Sequence, residues 1–179
     1  MEKVQILDKT FRLYMPEAEI QLLVKDLAAR ISADYQHRNP ILCPVLTGSY
    51  MFASDLSRNL TIPAPISFVR YFSYEGLSST GEVKRALPFS EKCRGRDIII
   101  VEDIIDSGLS MKTLLQDVHA LEPASVAICS FLFKPGNFKG DYKVDYYGKA
   151  IPNDFIVGYG MDYDELGRNL PDIYILDMI

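Results

Sequence analysis

The sequence predicts an α/β fold with a mainly parallel central sheet and helices on both faces. Two observations point to it. The runs Ile41-Leu42-Cys43-Pro44-Val45-Leu46, Ile98-Ile99-Ile100-Val101 and Ser125 to Phe133 are apolar with little polar alternation, as strands covered on both faces are. Between them lie segments with apolar residues at helical spacing, and the turns Thr47-Gly48-Ser49 and Ser107-Gly108-Leu109-Ser110 each carry a strand directly into a helix.

Residues Val4 to Met15 alternate loosely, as a short strand or extended segment does. After Pro16, which suits a helix's first turn, Ile20, Leu23, Val24, Leu27, Ala28 and Ile31 form one apolar face, with the acids Glu17 and Glu19 near the helix start. Ile41 to Leu46 is the first buried strand, and the turn after it leads into a helix carrying Met51, Phe52, Leu56 and Leu60. Ile66 to Phe72 reads as a further strand. The polar, glycine-containing stretch from Ser73 to Val83 has no helical period and suits either a lid or a flexible hairpin. Met111, Leu114, Leu115, Val118 and Leu121 mark a helix that Pro123 stops, and Ser125 to Phe133 is a strand broken by Lys134-Pro135-Gly136-Asn137. Tyr142 to Ala150 and Phe155 to Tyr163 are strand-like and joined at Ile151-Pro152-Asn153-Asp154.

The chain is organised around Val101-Glu102-Asp103-Ile104-Ile105-Asp106-Ser107-Gly108-Leu109-Ser110. Acids at the carboxyl end of a buried strand, followed by a turn whose free N–H groups open a helix, stand where open α/β sheets bind ligands and where anions are held. A helix cap in a solvated acidic loop accounts for Asp106, Ser107 and Ser110 one by one. It accounts poorly for Glu102 and Asp103, because carboxylates against a buried strand end need a cation or a hydroxyl partner. The stretch resembles the phosphoribosyl pyrophosphate signature of type I phosphoribosyltransferases, in the form seen in the hypoxanthine-guanine branch. A distant second stretch, Ile151 to Tyr163 followed by Arg168-Asn169-Leu170-Pro171, is similar to the purine-binding end of that branch, a tail that the orotate, uracil and adenine enzymes lack.

The resemblance implies a single domain over residues 1–179, with a core of 16–135 and a small hood from 1–15 and 136–179. It implies that Glu102 and Asp103 engage ribose hydroxyls and, with Asp162, help hold Mg²⁺, while Ser107, Gly108, Leu109 and Ser110 wrap the 5-phosphate. Asp106 is then the general base near purine N7, Thr47, Gly48 and Arg168 contact pyrophosphate, and Lys134, Phe155, Ile156 and Asp162 hold the purine. Ser73 and Tyr74 match the pair in the family's mobile loop. Thr47 stands where many members place a lysine or arginine. Phe133 replaces an acid common in bacterial members, and Gly136-Asn137-Phe138 replaces basic residues.

The implied reaction joins hypoxanthine or guanine to 5-phosphoribosyl 1-pyrophosphate in purine salvage, with Mg²⁺ as cofactor and a homodimer or homotetramer as the working assembly. A xanthine-preferring transferase and a nucleotide-sensing regulator on the same fold are alternatives, and acids at strand ends also suit a receiver or phosphatase domain using Mg²⁺. The combination of Asp106, Lys134, Asp162 and Arg168 counts against the regulator.

A length of 179 residues with 48% hydrophobic composition fits one compact domain with a sizeable core. With 19 basic against 24 acidic residues, a net charge of −5 and no run of like charge, neither nucleic acid nor an anionic membrane is an expected partner. The start Met1-Glu2-Lys3-Val4-Gln5 has no basic region leading into an apolar stretch, so a soluble, cytoplasmic protein is expected. Cys43, Cys93 and Cys129 read as buried reduced thiols, and His37 and His119 offer almost no basis for a zinc site.

Overall fold

A computed structural model describes residues 2–73 and 83–177. Strands β1 (Lys3–Ile6) and β2 (Lys9–Met15) form an antiparallel hairpin in place of the single extended segment expected. The reversal falls at Leu7-Asp8, where Leu7 adopts a φ of 51°. No glycine or proline marks it, and Asp8 is the one turn-favouring residue there, a weak signal by itself. Helix α1 (Glu17–Asp34) follows Pro16 and buries Ile20, Val24, Leu27, Ala28 and Ile31, as the spacing requires.

Strand β3 (Ile41–Pro44) passes through a turn to helix α2 (Tyr50–Asn59). The expected strand from Ile66 to Phe72 divides instead. Ile66 and Val69 bridge in parallel to Leu42 and Val45 at the sheet edge, whereas β4 (Arg70–Ser73) turns away to pair antiparallel with β5 (Val83–Leu87). The expected lid residue Tyr74 and the stretch to residue 82 lie outside the described residues. Strand β6 (Asp97–Ile105), helix α3 (Met111–His119) and strand β7 (Ser125–Phe133) come next. They are followed by β8 (Tyr146–Ala150), β9 (Ile156–Val157) and β10 (Ile173–Leu176).

The core sheet has the order β3-β6-β7-β8, and each neighbouring pair is parallel. Strand periodicity sends Ile99 and Val101 of β6 towards α1 and α2, and Ile98 and Ile100 towards α3. This is the two-faced burial that the apolar runs predict. A second, antiparallel sheet of order β1-β2-β10-β9 forms the hood. The segment 136–179 assigned to the hood thus divides, because β8 joins the core sheet beside β7. Hood and core are joined at the head of α1, where the Glu17 N–H donates to Asp172 Oδ1 at 2.7 Å. Cys43, Cys93 and Cys129 are free and buried. Among the described residues no helix is long and apolar enough to cross a membrane.

Candidate active site

Strand β6 outruns its neighbour. Pairing with β3 ends at Pro44 opposite Val101, but pairing with β7 continues to Ile105 opposite Phe133. Glu102 and Asp103 therefore lie within the carboxyl half of the strand, which runs two residues further than the apolar run and its acids, on a stretch whose β3 side is open. Strand alternation separates them. Glu102 faces a cavity of about 110 Å³ formed with Asp106, Ser107, Gly108, Ser110 and Tyr142. Asp103 faces an adjoining cavity of about 200 Å³ formed with Asp106, Lys134, Phe155, Ile156 and Asp162. Asp106 borders both.

Burial, and then the neighbouring Asp103 charge, push the Glu102 carboxyl well above its ordinary value. Burial likewise pushes Asp103 up to about 6, against the opposing pull of its backbone hydrogen bonds and the Arg168 charge. Asp106 behaves differently. Burial raises it, but hydrogen bonds from Lys134 and Asn137, with the Lys134 charge, outweigh burial and hold it below the usual carboxylate range. Lys134 is only 5% exposed, and its ammonium donates to Asp106 Oδ2 at 2.9 Å while the Asn137 amide donates to Oδ1.

The other wall comes from the hood. Phe155 is 45% exposed, with its ring 6.2 Å from Phe11 and edge-on to Tyr163 at 5.9 Å, so a large apolar face is held rigidly at the cavity mouth. Arg168 bridges Asp162 at 2.9 Å and donates to the Gly160 carbonyl at 2.9 Å. Among the described residues its Nε is buried without a hydrogen-bond partner, and the Gly160 it holds lies against the turn at Gly48. That turn is tightly enclosed. A Cβ on Gly48 would stand 2.0 Å from Asp103 Oδ2, and one on Gly160 would stand 2.0 Å from the Gly48 carbonyl oxygen.

The family model for the phosphoribosyl transferase domain matches residues 16–164. The hypoxanthine phosphoribosyltransferase of Salmonella typhimurium is 39% identical over 165 residues, covering 90% of this chain and 93% of its own. The hypoxanthine-guanine phosphoribosyltransferase of Staphylococcus aureus is 38% identical over 160 residues, 89% of each chain. The chain belongs to the phosphoribosyltransferase family. The crystal structure of a hypoxanthine-guanine phosphoribosyltransferase from Bacillus anthracis superposes with a TM-score of 0.87 at 36% identity, covering 93% of this chain and 98% of that one. This phosphoribosyltransferase thus shares its α/β architecture with solved relatives as well as its sequence.

Of the residues singled out in this phosphoribosyltransferase's sequence, Asp103, Asp106, Lys134, Phe155, Ile156 and Asp162 converge on one cavity, and Glu102, Ser107, Gly108 and Ser110 on the next. Gly48 and Arg168 meet around Asp103, Asp162 and Gly160. Leu109 is 61% exposed and lines neither cavity. Of the expected metal trio, Asp103 and Asp162 share one cavity and Glu102 faces the other. Among the described residues no three acids, histidines or cysteines form a metal cluster, because strand alternation parts the first two and Arg168 engages the third. Sequence reasoning missed Tyr142, whose hydroxyl donates to the Gly108 carbonyl at 3.0 Å, and the contact of Asn137 with Asp106. Chain separation hid the first. The second was visible only as an unusual loop after Lys134.

Proposed function

We propose that this protein transfers the phosphoribosyl group of 5-phosphoribosyl 1-pyrophosphate to N9 of hypoxanthine or guanine, releasing pyrophosphate and the nucleotide. The observation that carries this reading is the place of Asp106, where the base-sized cavity meets the phosphate-loop cavity. The bond from the anomeric carbon to pyrophosphate breaks with its electron pair leaving on the pyrophosphate oxygen. The bond from N9 forms, and the proton released by the purine passes to Asp106. An ionised Asp106 is a weak base, but the purine becomes strongly acidic as N9 takes on positive character, so a held, charged acceptor suffices.

In the same reading, Phe155 stacks on the purine and Lys134 donates to the oxygen at C6 while its ammonium keeps Asp106 ionised. Free N–H groups at the head of α3 and the hydroxyls of Ser107 and Ser110 receive the 5-phosphate. Arg168 offers its orphaned Nε to the pyrophosphate. Burial makes the charged forms of Glu102 and Asp103 costly, a cost that ribose hydroxyl donors and a hard divalent cation drawing its other ligands from substrate oxygens and water would offset. When bound, Mg²⁺ would neutralise the leaving pyrophosphate. A homodimer or homotetramer completes the proposal; the related hypoxanthine phosphoribosyl transferase of Trypanosoma cruzi was solved in work on its oligomeric state.

The test is nucleotide formation from phosphoribosyl pyrophosphate and Mg²⁺ with adenine, guanine, hypoxanthine and xanthine in turn. Hypoxanthine or guanine should be consumed, and no nucleotide from any base overturns the reading. Asp106→Asn should lower kcat about 10²-fold or more while product nucleotide still binds.

A further inference from the structure

We infer that Asn137 is a positioning residue, holding the Asp106 carboxylate in one orientation for proton transfer through the hydrogen bond from its amide to Asp106 Oδ1. The inference depends on the reading of Asp106 as the proton acceptor. The Asp106 side chain is 45% exposed on the loop after β6, and its terminal torsion is intrinsically broad. Lys134 holds Oδ2 alone, which leaves the carboxylate free to swing about that contact. A second donor on Oδ1 fixes the carboxylate plane. Each carboxylate oxygen accepts more than one hydrogen bond, so Oδ1 keeps capacity for a proton from the substrate side.

Asn137 is itself held from several directions. Its N–H donates to the Lys134 carbonyl at 3.2 Å, and the Lys134 N–H donates to the Ile105 carbonyl at 2.9 Å. The Lys139 N–H donates to the Ser107 carbonyl at 3.0 Å, so the segment crosses directly over the phosphate turn. Phe138 packs edge-on against Phe133 and Tyr142, each at 5.2 Å. Substituting a Cβ at Gly108 would place it 2.6 Å from the Phe138 ring and from the Tyr142 hydroxyl, so strap and turn are in close contact. The amide adds a directed donor without a second cation. A cation there would lower the basicity of Asp106 further.

The experiment measures kcat, both KM values and thermal midpoints for Asn137→Ala and Asn137→Asp, each alone and combined with Asp106→Asn. Asn137→Ala should lower kcat roughly 10-fold, the size of one hydrogen bond to a charged group, with KM for phosphoribosyl pyrophosphate unchanged. Asn137→Asp keeps the shape but replaces the donor with an acceptor that repels Asp106, so its kcat should fall at least as far, with only a modestly lowered midpoint because both side chains are partly exposed. This variant decides the matter should Asn137→Ala fail to fold. Neither change should lower kcat further in the Asp106→Asn background. Wild-type kcat in Asn137→Asp, a loss carried by KM alone, or losses that multiply fully with that of Asp106→Asn overturn the positioning role. Wild-type kcat in Asp106→Asn overturns the reading of Asp106 instead, so the two failures are distinguishable.

Discussion

Gly48 and Gly160 sit against one another beneath Arg168, and each excludes a side chain for a different reason. A methyl group on Gly160 would meet the Gly48 carbonyl oxygen at 2.0 Å, and its φ of +99° is one that L residues rarely adopt. Neither obstacle is relieved by a rotamer change. Gly160→Ala should therefore destabilise the fold by roughly 2–4 kcal/mol, seen as a lowered thermal midpoint. At Gly48 the obstructing atom is the Asp103 carboxylate, which turns about its own side-chain torsions. Gly48→Ala should thus leave the midpoint close to wild type while lowering kcat/KM for phosphoribosyl pyrophosphate, because Asp103 is pushed from its place. A large loss of stability in Gly48→Ala with activity intact would contradict this contrast.

Among the elements, β6 carries the acids, and its opposite end is fastened by Asp97. The Asp97 carboxylate accepts a two-point contact from the Arg38 guanidinium, including Nε at 3.0 Å, and the Ser125 hydroxyl donates to it at 2.6 Å. It thereby ties the residues after α1 to the first residues of β6 and β7. The Arg38 hydrogen bonds hold the Asp97 carboxyl below its ordinary value. A carboxyl lowered on folding stabilises above its unfolded pKa and loses that contribution as pH falls through the folded value. Asp97→Asn should cost about 1 kcal/mol at pH 7, discounted for the half-exposed Arg38, and lower the midpoint by about 2–4 °C. The difference from wild type should close below about pH 4. A gap that persists there would show the contact to be steric. The strongly periodic elements α1, β6, α3 and β7 were legible because burial of one helix stripe, or of both strand faces, leaves a pattern in the residues themselves. The reversal at Leu7-Asp8 and the division after Val69 were not, since the first carries only a lone aspartate as its turn signal and a left-handed leucine, and the second depends on which distant strand each half pairs with. The two runs that mark the site were legible. The orientation of Glu102 away from Asp103 depends on how far β6 extends past β3, which only the sheet reveals.

For the molecule as a whole, the candidate site has no complete wall in either sheet. Asp103, Asp106 and Lys134 belong to the core and the loops at its carboxyl edge, and Phe155, Ile156 and Asp162 to the hood and its turns. A nucleotide seated between them contacts both, so binding opposes their separation during unfolding. At a concentration 100 times its Kd, a ligand confined to the folded state adds about 2.7 kcal/mol, or roughly 5–10 °C in a chain of this size. Product nucleotide should raise the midpoint by that amount. Phe155→Ala removes the exposed ring but none of the groups that meet phosphate or ribose, and one base–aromatic stack is worth about 1–3 kcal/mol. At fixed ligand concentration that variant should lose between about a third and nine-tenths of the shift with nucleotide, whereas phosphoribosyl pyrophosphate, which has no base, should stabilise it as it does the wild type. Thermal scans with each ligand separate the two contributions. An equal loss with both ligands would mean that Phe155 supports the hood through Phe11 and Tyr163 rather than meeting the base.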